Sequence, residues 1–236
     1  MTPIFYAPLI ATDPLLPEEE SMHCTRVLRL GRGAELTVTD GRGVFYRAVI
    51  EEADTRRCRV RVVEQREAPR PWAYGLHVAV APTKSIDRME WFLEKATEIG
   101  VDSVTLLRCR YSERREVKRE RLQRVAVSAM KQSGQAHLPL IEGMTDFADF
   151  IARHAAEAGD RLIAHCRSSE LPPLSTSYHH GNDALILIGP EGDFSTEEVA
   201  MAEAAGFAGV SLGRTRLRTE TAALAACHAI HVLNGE

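Results

Sequence analysis

Ala184-Leu185-Ile186-Leu187-Ile188-Gly189-Pro190-Glu191-Gly192-Asp193-Phe194-Ser195-Thr196-Glu197-Glu198 carries three kinds of signal in one short run. Five consecutive apolar residues predict a strand covered on both faces, as in a parallel sheet. Two glycines and a proline then break the strand. Ser195 and Glu198 stand at capping-box spacing, and Phe194 with Val199 can form a hydrophobic staple, so a helix is predicted to start at once. The carboxyl end of a strand in an open α/β sheet is where ligands usually sit. Gly192 suits a positive φ or the close approach of a ligand to the backbone. An ordinary strand-to-helix turn would use the same residues. Neither GxGxxG nor GxxxxGK[ST] occurs, so nothing here indicates a dinucleotide or a triphosphate.

The arrangement recurs downstream. Val210-Ser211 enters a glycine-bearing loop, Leu212-Gly213-Arg214-Thr215-Arg216-Leu217-Arg218, and an Ala-rich helix follows through Val232-Leu233. In an extended loop the three arginines share one side, which suits phosphate or base recognition. The helix has few charges, so it is either a buried packing helix or a subunit interface. Upstream, strands at 76–81, 104–107 and 162–164 alternate with helices at 85–99, 118–133 and 147–158. In the first of these helices Ile86, Met89, Leu93, Ala96 and Ile99 form one stripe that Gly100 closes. Residues 168–182 read as a polar connection. The alternation predicts an α/β sheet with helices on both faces.

Before Ala68-Pro69-Arg70-Pro71, a stiff linker, the pattern changes. Residues 45–50 and 58–63 alternate in period two after an Asp40-Gly41-Arg42-Gly43 turn, and one short helix is expected over Glu18–Leu28 behind Pro17. This predicts a small β-rich domain.

The 236 residues, 44% hydrophobic and 26% charged, can bury a substantial core and exclude a disordered acidic chain. No apolar run approaches the ~20 residues of a membrane helix. The start lacks a basic n-region, so no signal peptide is read. Five cysteines without a CxxC argue against a disulfide framework and a zinc site. An intracellular, cytoplasmic protein without metal is expected. The formal charge is −4, yet residues 108–124 alone are net +5 and residues 125–211 net −8. Local positive potential is what nucleic acid requires, although the same basic run also reads as a solvated helix face with i,i+4 ion pairs.

GPEGDFS followed by LGRTRLRTETAALAA resembles the paired C-terminal motifs of the bacterial 16S ribosomal RNA uridine-N3 methyltransferases, the RsmE family of the knotted SPOUT class. HCTRVLRLGRG with DGRG, Lys84-Ser85-Ile86-Asp87-Arg88-Met89-Glu90-Trp91 with EKATEIGV, and Lys131-Gln132-Ser133-Gly134 with His137-Leu138-Pro139 resemble it in the same order. The resemblance implies a PUA-like RNA-binding β-barrel over 1–70 and a SPOUT α/β methyltransferase domain with a deep trefoil knot over 72–236. It implies S-adenosylmethionine held by Ala164, His165, Gly189, Pro190, Glu191, Gly192, Leu212, Gly213, Leu217, Arg218, Thr219 and Thr221. It implies RNA contacts from Arg26, Arg29, Arg32, Arg42, Lys84, Arg88, Gln132 and Ser133, and a homodimer acting on 16S rRNA or the small subunit.

Methyl transfer to uridine N3 needs the N3 proton removed. Arg218 is the candidate for stabilising the anion that develops, and Glu191 or Glu220 for accepting the proton; the residues assign no general base between them. Glu220 also reads simply as an acidic residue in a helix first turn. Three positions depart from the family pattern: Asp193 for a glycine, Lys131 for an acidic residue and Gln135 for an arginine. Asp193 is expected at a helical position or near a helix N-terminus. The competing readings are a SPOUT methyltransferase on another RNA and a non-catalytic RNA-binding assembly protein. The intact glycines and Arg218-Thr219-Glu220-Thr221 count against the latter.

Overall fold

Two sheets form, one for each hydrophobic pattern, in a computed structural model that describes residues 3–168 and 170–236. Met1, Thr2 and Ser169, which the leader and connection readings include, lie outside the described residues. The chain divides into two units: residues up to Pro71 with Val127–Leu138, and Trp72–Ala126 with Pro139–Glu236.

The first unit holds a four-stranded sheet in the order β1 (Ile4–Tyr6), β2 (Glu35–Thr39), β3 (Val44–Glu52), β4 (Arg59–Glu67). Period two sends Leu36, Val38, Tyr46, Ala48, Ile50 and Val60 inward. It sends Arg47, Arg59 and Arg61 outward, where they pair with Glu35 and Glu64, Glu52, and Glu51. Such exposed pairs add little stability, but they neutralise that face.

Two motifs far apart in sequence meet in this unit. Gly43 N–H donates to Ala136 O and Leu138 N–H to Gly41 O, each at 2.9 Å. Gly43 has φ +94, and a Cβ there would stand 2.5 Å from the His137 ring, so only glycine fits. Glu18–Met22 forms α1, but a π-helical turn over His23–Val27 replaces the rest of the expected helix, and Arg29 follows with φ +52.

The second unit holds six strands in the order β10 (Ala208–Val210), β8 (Asp160–Ala164), β9 (Ala184–Ile188), β5 (Leu76–Val80), β6 (Ser103–Arg108), β7 (Leu140–Asp146), with every neighbouring pair parallel. All of β9 is buried. Leu185 and Leu187 join a core with Phe147, Phe150 and Phe194 on one side. On the other side α7 (Thr219–Leu233) packs on β5 and β9 and against α2 (Ile86–Ile99). The remaining helices are α3 (Arg119–Ser133), α4 (Phe147–His154), α5 (Leu174–Ser177) and α6 (Thr196–Ala204).

Two elements depart from expectation. The polar connection contains the short α5. α4 stops at His154, because Arg161 Nη1 donates to the carbonyls of His154 and Ala155, the orphan acceptors of its last turn. Much of the apolar surface of α7 is consumed inside its own chain, where Ala223, Ala226, Cys227 and Ile230 are buried. There His231 Nε2 donates to Gly100 O, so Tyr74 O–H donates to Nδ1, both at 2.6 Å. Leu224, Ala225, Ala229 and Leu233 are part-exposed and Val232 is exposed, so some apolar surface stays outward. Among the described residues no helix is long and apolar enough to cross a membrane, and no group of His, Cys, Asp and Glu is placed to hold a metal ion.

Candidate functional site

Adjacent strands β8, β9 and β10 end side by side, and the loops leaving them enclose a cavity of about 530 Å³. That is a volume for a small-molecule ligand, at the strand ends where α/β sheets place them. The first loop contributes Ala164 and His165, the second Gly189, Pro190, Glu191 and Gly192, the third Leu212, Gly213, Leu217, Arg218 and Thr219. Thr221, expected with them, does not line the cavity. Thr219 and Ala222 are three apart and share the helix face toward it, while Thr221 is turned outward and exposed. Arg216, one of the three arginines singled out in the third loop, lines it too, while sequence reasoning missed Cys166, Arg167, Asp193 and Thr215 as lining residues.

The second loop is fixed mainly by the start of α6. Ser195 Oγ accepts from Glu198 N–H at 3.2 Å and Glu198 Oε2 from Ser195 N–H at 2.8 Å, the capping box read from the sequence. Thr219 Oγ1 donates to Gly189 O at 3.1 Å, joining the second loop to the start of α7. Replacing Ser195 by alanine is expected to cost about 1 kcal/mol of stability; an unchanged urea midpoint would mean the cap contributes nothing.

Asp193 stands near a helix N-terminus, just ahead of the Ser195 N-cap of α6, but is not itself helical. Its φ is +65, a left-handed conformation that glycine adopts freely and aspartate tolerates better than most residues. Its side chain offsets that cost: Oδ2 accepts from Cys166 N–H at 2.9 Å and Oδ1 from Phe194 N–H at 2.8 Å. The Asp193 side chain thus ties the first loop to the second. Arg167 reinforces the tie, with Nε donating to Phe194 O at 2.7 Å and lying 3.8 Å from Asp193 Oδ2.

The candidate proton acceptors differ in placement. Glu191 lines the cavity, and its Oε1 accepts from Lys84 N–H at 2.9 Å. Glu220 is buried in the first turn of α7, outside the lining, with Arg88 Nε 3.8 Å from its Oε1. Arg218 sits at the N-cap of α7, exposed at the cavity and without an ion pair among the described residues. Burial lowers the pKa of His165, and its Nδ1 accepts from Arg167 N–H at 3.2 Å, so a neutral ring faces this wall.

The expected RNA contacts fall in both units. Arg26, Arg29, Arg32 and Arg42 are exposed and, among the described residues, free of ion pairs, in contrast to Arg47, Arg59 and Arg61. Gln132 is exposed, whereas Ser133 Oγ donates to Ala129 O and Met130 O of its own helix. Lys84 Nζ pairs with Glu113 at 2.9 Å. Lys131 pairs at 2.5 Å with the buried Glu20, so its charge is used inside the first unit. Gln135 N–H donates to Met130 O at 3.0 Å, closing the end of α3.

Comparison with known proteins agrees with this geometry. Residues 70–231 match an RNA methyltransferase domain model and residues 16–63 an RNA methyltransferase PUA domain model. A Mycobacterium bovis protein named ribosomal RNA small subunit methyltransferase E is 32% identical over 224 residues, covering 91% of this chain and 84% of its own. A crystal structure described as a probable rRNA-methyltransferase from Porphyromonas gingivalis is 50% identical, with TM-score 0.91 over 99% of this chain and 98% of that one. A ribosomal RNA small subunit methyltransferase E from Neisseria gonorrhoeae, crystallised with S-adenosyl methionine, is 26% identical with TM-score 0.86, covering 99% and 98%.

Proposed function

We propose, because this chain belongs to the ribosomal RNA small subunit methyltransferase E family, that it methylates N3 of a uridine in 16S ribosomal RNA with S-adenosylmethionine as donor. The observation that carries this reading is the cavity at the ends of β8, β9 and β10, with an unpaired Arg218 at its edge. The residues there fit the donor. Leu212 and Leu217 present apolar side chains, and their backbone N–H and C=O groups have no partner among the described residues. An adenine edge, with an amino donor and ring-nitrogen acceptors, asks for such a pair. The Glu191 and Asp193 carboxylates supply negative charge for a cationic sulfonium.

When bound, S-adenosylmethionine supplies an electrophilic methyl group. The task of the chain is to hold donor and acceptor in line and stabilise the charge that develops on the base. Arg218 fits the second role, its guanidinium being free to meet the uracil carbonyl oxygens. Glu191 and Glu220 each leave Oε2 without a hydrogen-bond partner among the described residues, but of the two Glu191 lines the cavity, which favours it as proton acceptor. The test is transfer of labelled methyl to small-subunit rRNA, with the product located by mass mapping. 3-Methyluridine in 16S rRNA is the expected product; label on another base or another RNA would overturn the assignment.

The same reading makes the active form a cytoplasmic homodimer. Its support in this chain is the outward stripe Leu224, Ala225, Ala229 and Val232 on α7, which a second copy can cover. Sedimentation at micromolar concentration is expected to give a dimer, and Val232→Glu to shift it toward monomer. A wild-type monomer would contradict the interface.

A further inference from the structure

Tyr111 is a large aromatic left 49% exposed at the foot of the loop after β6, beside but not lining the cavity. Its backbone is pinned on both sides: Arg110 N–H donates to Glu198 Oε1 at 2.7 Å, and Cys109 N–H to Ser112 Oγ at 3.0 Å. Its Cβ lies 3.1 Å from where a Cβ on Gly192 would stand, so the ring is set directly against the second loop. Arg167, itself fixed on Phe194 O, places its guanidinium carbon 6.0 Å from the ring centroid. The ring is therefore pre-placed and backed by a cation, with free surface toward solvent. It lies in the basic 108–124 segment, where Arg110, Arg115, Lys118 and Arg119 have no ion pair among the described residues.

We propose that Tyr111 is a stacking platform for an unpaired nucleobase of the RNA, next to the nucleotide that enters the cavity. The inference rests on reading the cavity as a methyl-transfer site for RNA. An aromatic serving the core would be buried as Phe147 and Phe194 are, and one serving the donor would line the cavity. Single-stranded RNA is bound by aromatic platforms beside basic tracks, because every base has a π-face and a fixed ring loses little entropy.

The experiment compares Tyr111→Ala, Tyr111→Phe and Tyr111→Leu in the full chain, using a small-subunit rRNA fragment and S-adenosylmethionine. RNA affinity is expected to fall about tenfold or more in the alanine and leucine variants and to stay within about twofold in the phenylalanine variant. The salt slope of RNA binding and donor affinity by calorimetry should stay at wild-type values. Leucine binding RNA as well as wild type, a flattened salt slope, or lost donor affinity with RNA affinity intact would each overturn the platform. If the wild-type chain transfers no methyl group to the RNA yet Tyr111→Ala still weakens RNA binding while Tyr111→Phe does not, the methyl-transfer reading fails and the platform stands.

Discussion

Gly192→Val is expected to weaken S-adenosylmethionine binding sharply in calorimetry while circular dichroism stays native. Gly192 does not have a positive φ, so conformational freedom is not what requires glycine there. The requirement is space: a Cβ would meet the Tyr111 Cβ at 3.1 Å, and valine adds two methyl groups beyond it. Tyr111 cannot retreat easily, since its neighbours Arg110 and Cys109 are hydrogen-bonded through their backbones. The second loop must then move, and Glu191 with it, whose carboxylate is bonded to Lys84 N–H. Overpacking of this kind costs about 1–3 kcal/mol; spent on the shape of the cavity, that is a loss of about fivefold to more than a hundredfold in affinity. The fold should survive, because Gly192 is exposed and lies outside β9 and α6. Unchanged affinity would remove these residues from the donor site.

What the sequence made legible was chemistry local to a few residues. The capping box at Ser195 and Glu198, the apolar run of β9 and the glycine closing α2 at φ +123 each depend on neighbours in the chain. The elements missed depend on distant partners. β1 is only three residues long and forms by pairing with β2, a strand of mixed polarity. β7 carries Gly143 and polar residues, yet it completes the sheet against β6. The end of α4 is set by Arg161, a residue no helix pattern would single out. The site divides the same way: its glycines and arginines were visible, but the clasp of Asp193 on Cys166 spans 27 positions and appears only in the fold. The trefoil knot came with the family resemblance alone, since no local pattern encodes a threading.

An acidic protein that holds RNA must segregate its charge, and the arginines of this chain fall into two populations. Arg47, Arg59 and Arg61 are neutralised by glutamates, whereas Arg26, Arg29, Arg32 and Arg42 are exposed without ion pairs among the described residues. The free set is expected to act on phosphates, each contact adding roughly 0.7–0.9 to the slope of log affinity against log salt. Arg26→Ala with Arg29→Ala should therefore weaken RNA binding and flatten that slope by up to about 1.8, leaving donor affinity unchanged. Arg218→Ala should behave differently. As an unpaired cation at the cavity it would act on charge that exists only as the methyl group moves, so turnover should fall on the order of a hundredfold or more, with a much smaller change in RNA affinity. The pair of variants separates positioning from chemistry. If Arg218→Ala loses RNA affinity in proportion to turnover, or if the first-unit variant keeps the wild-type salt slope, the RNA lies on a different surface from the one these arginines define.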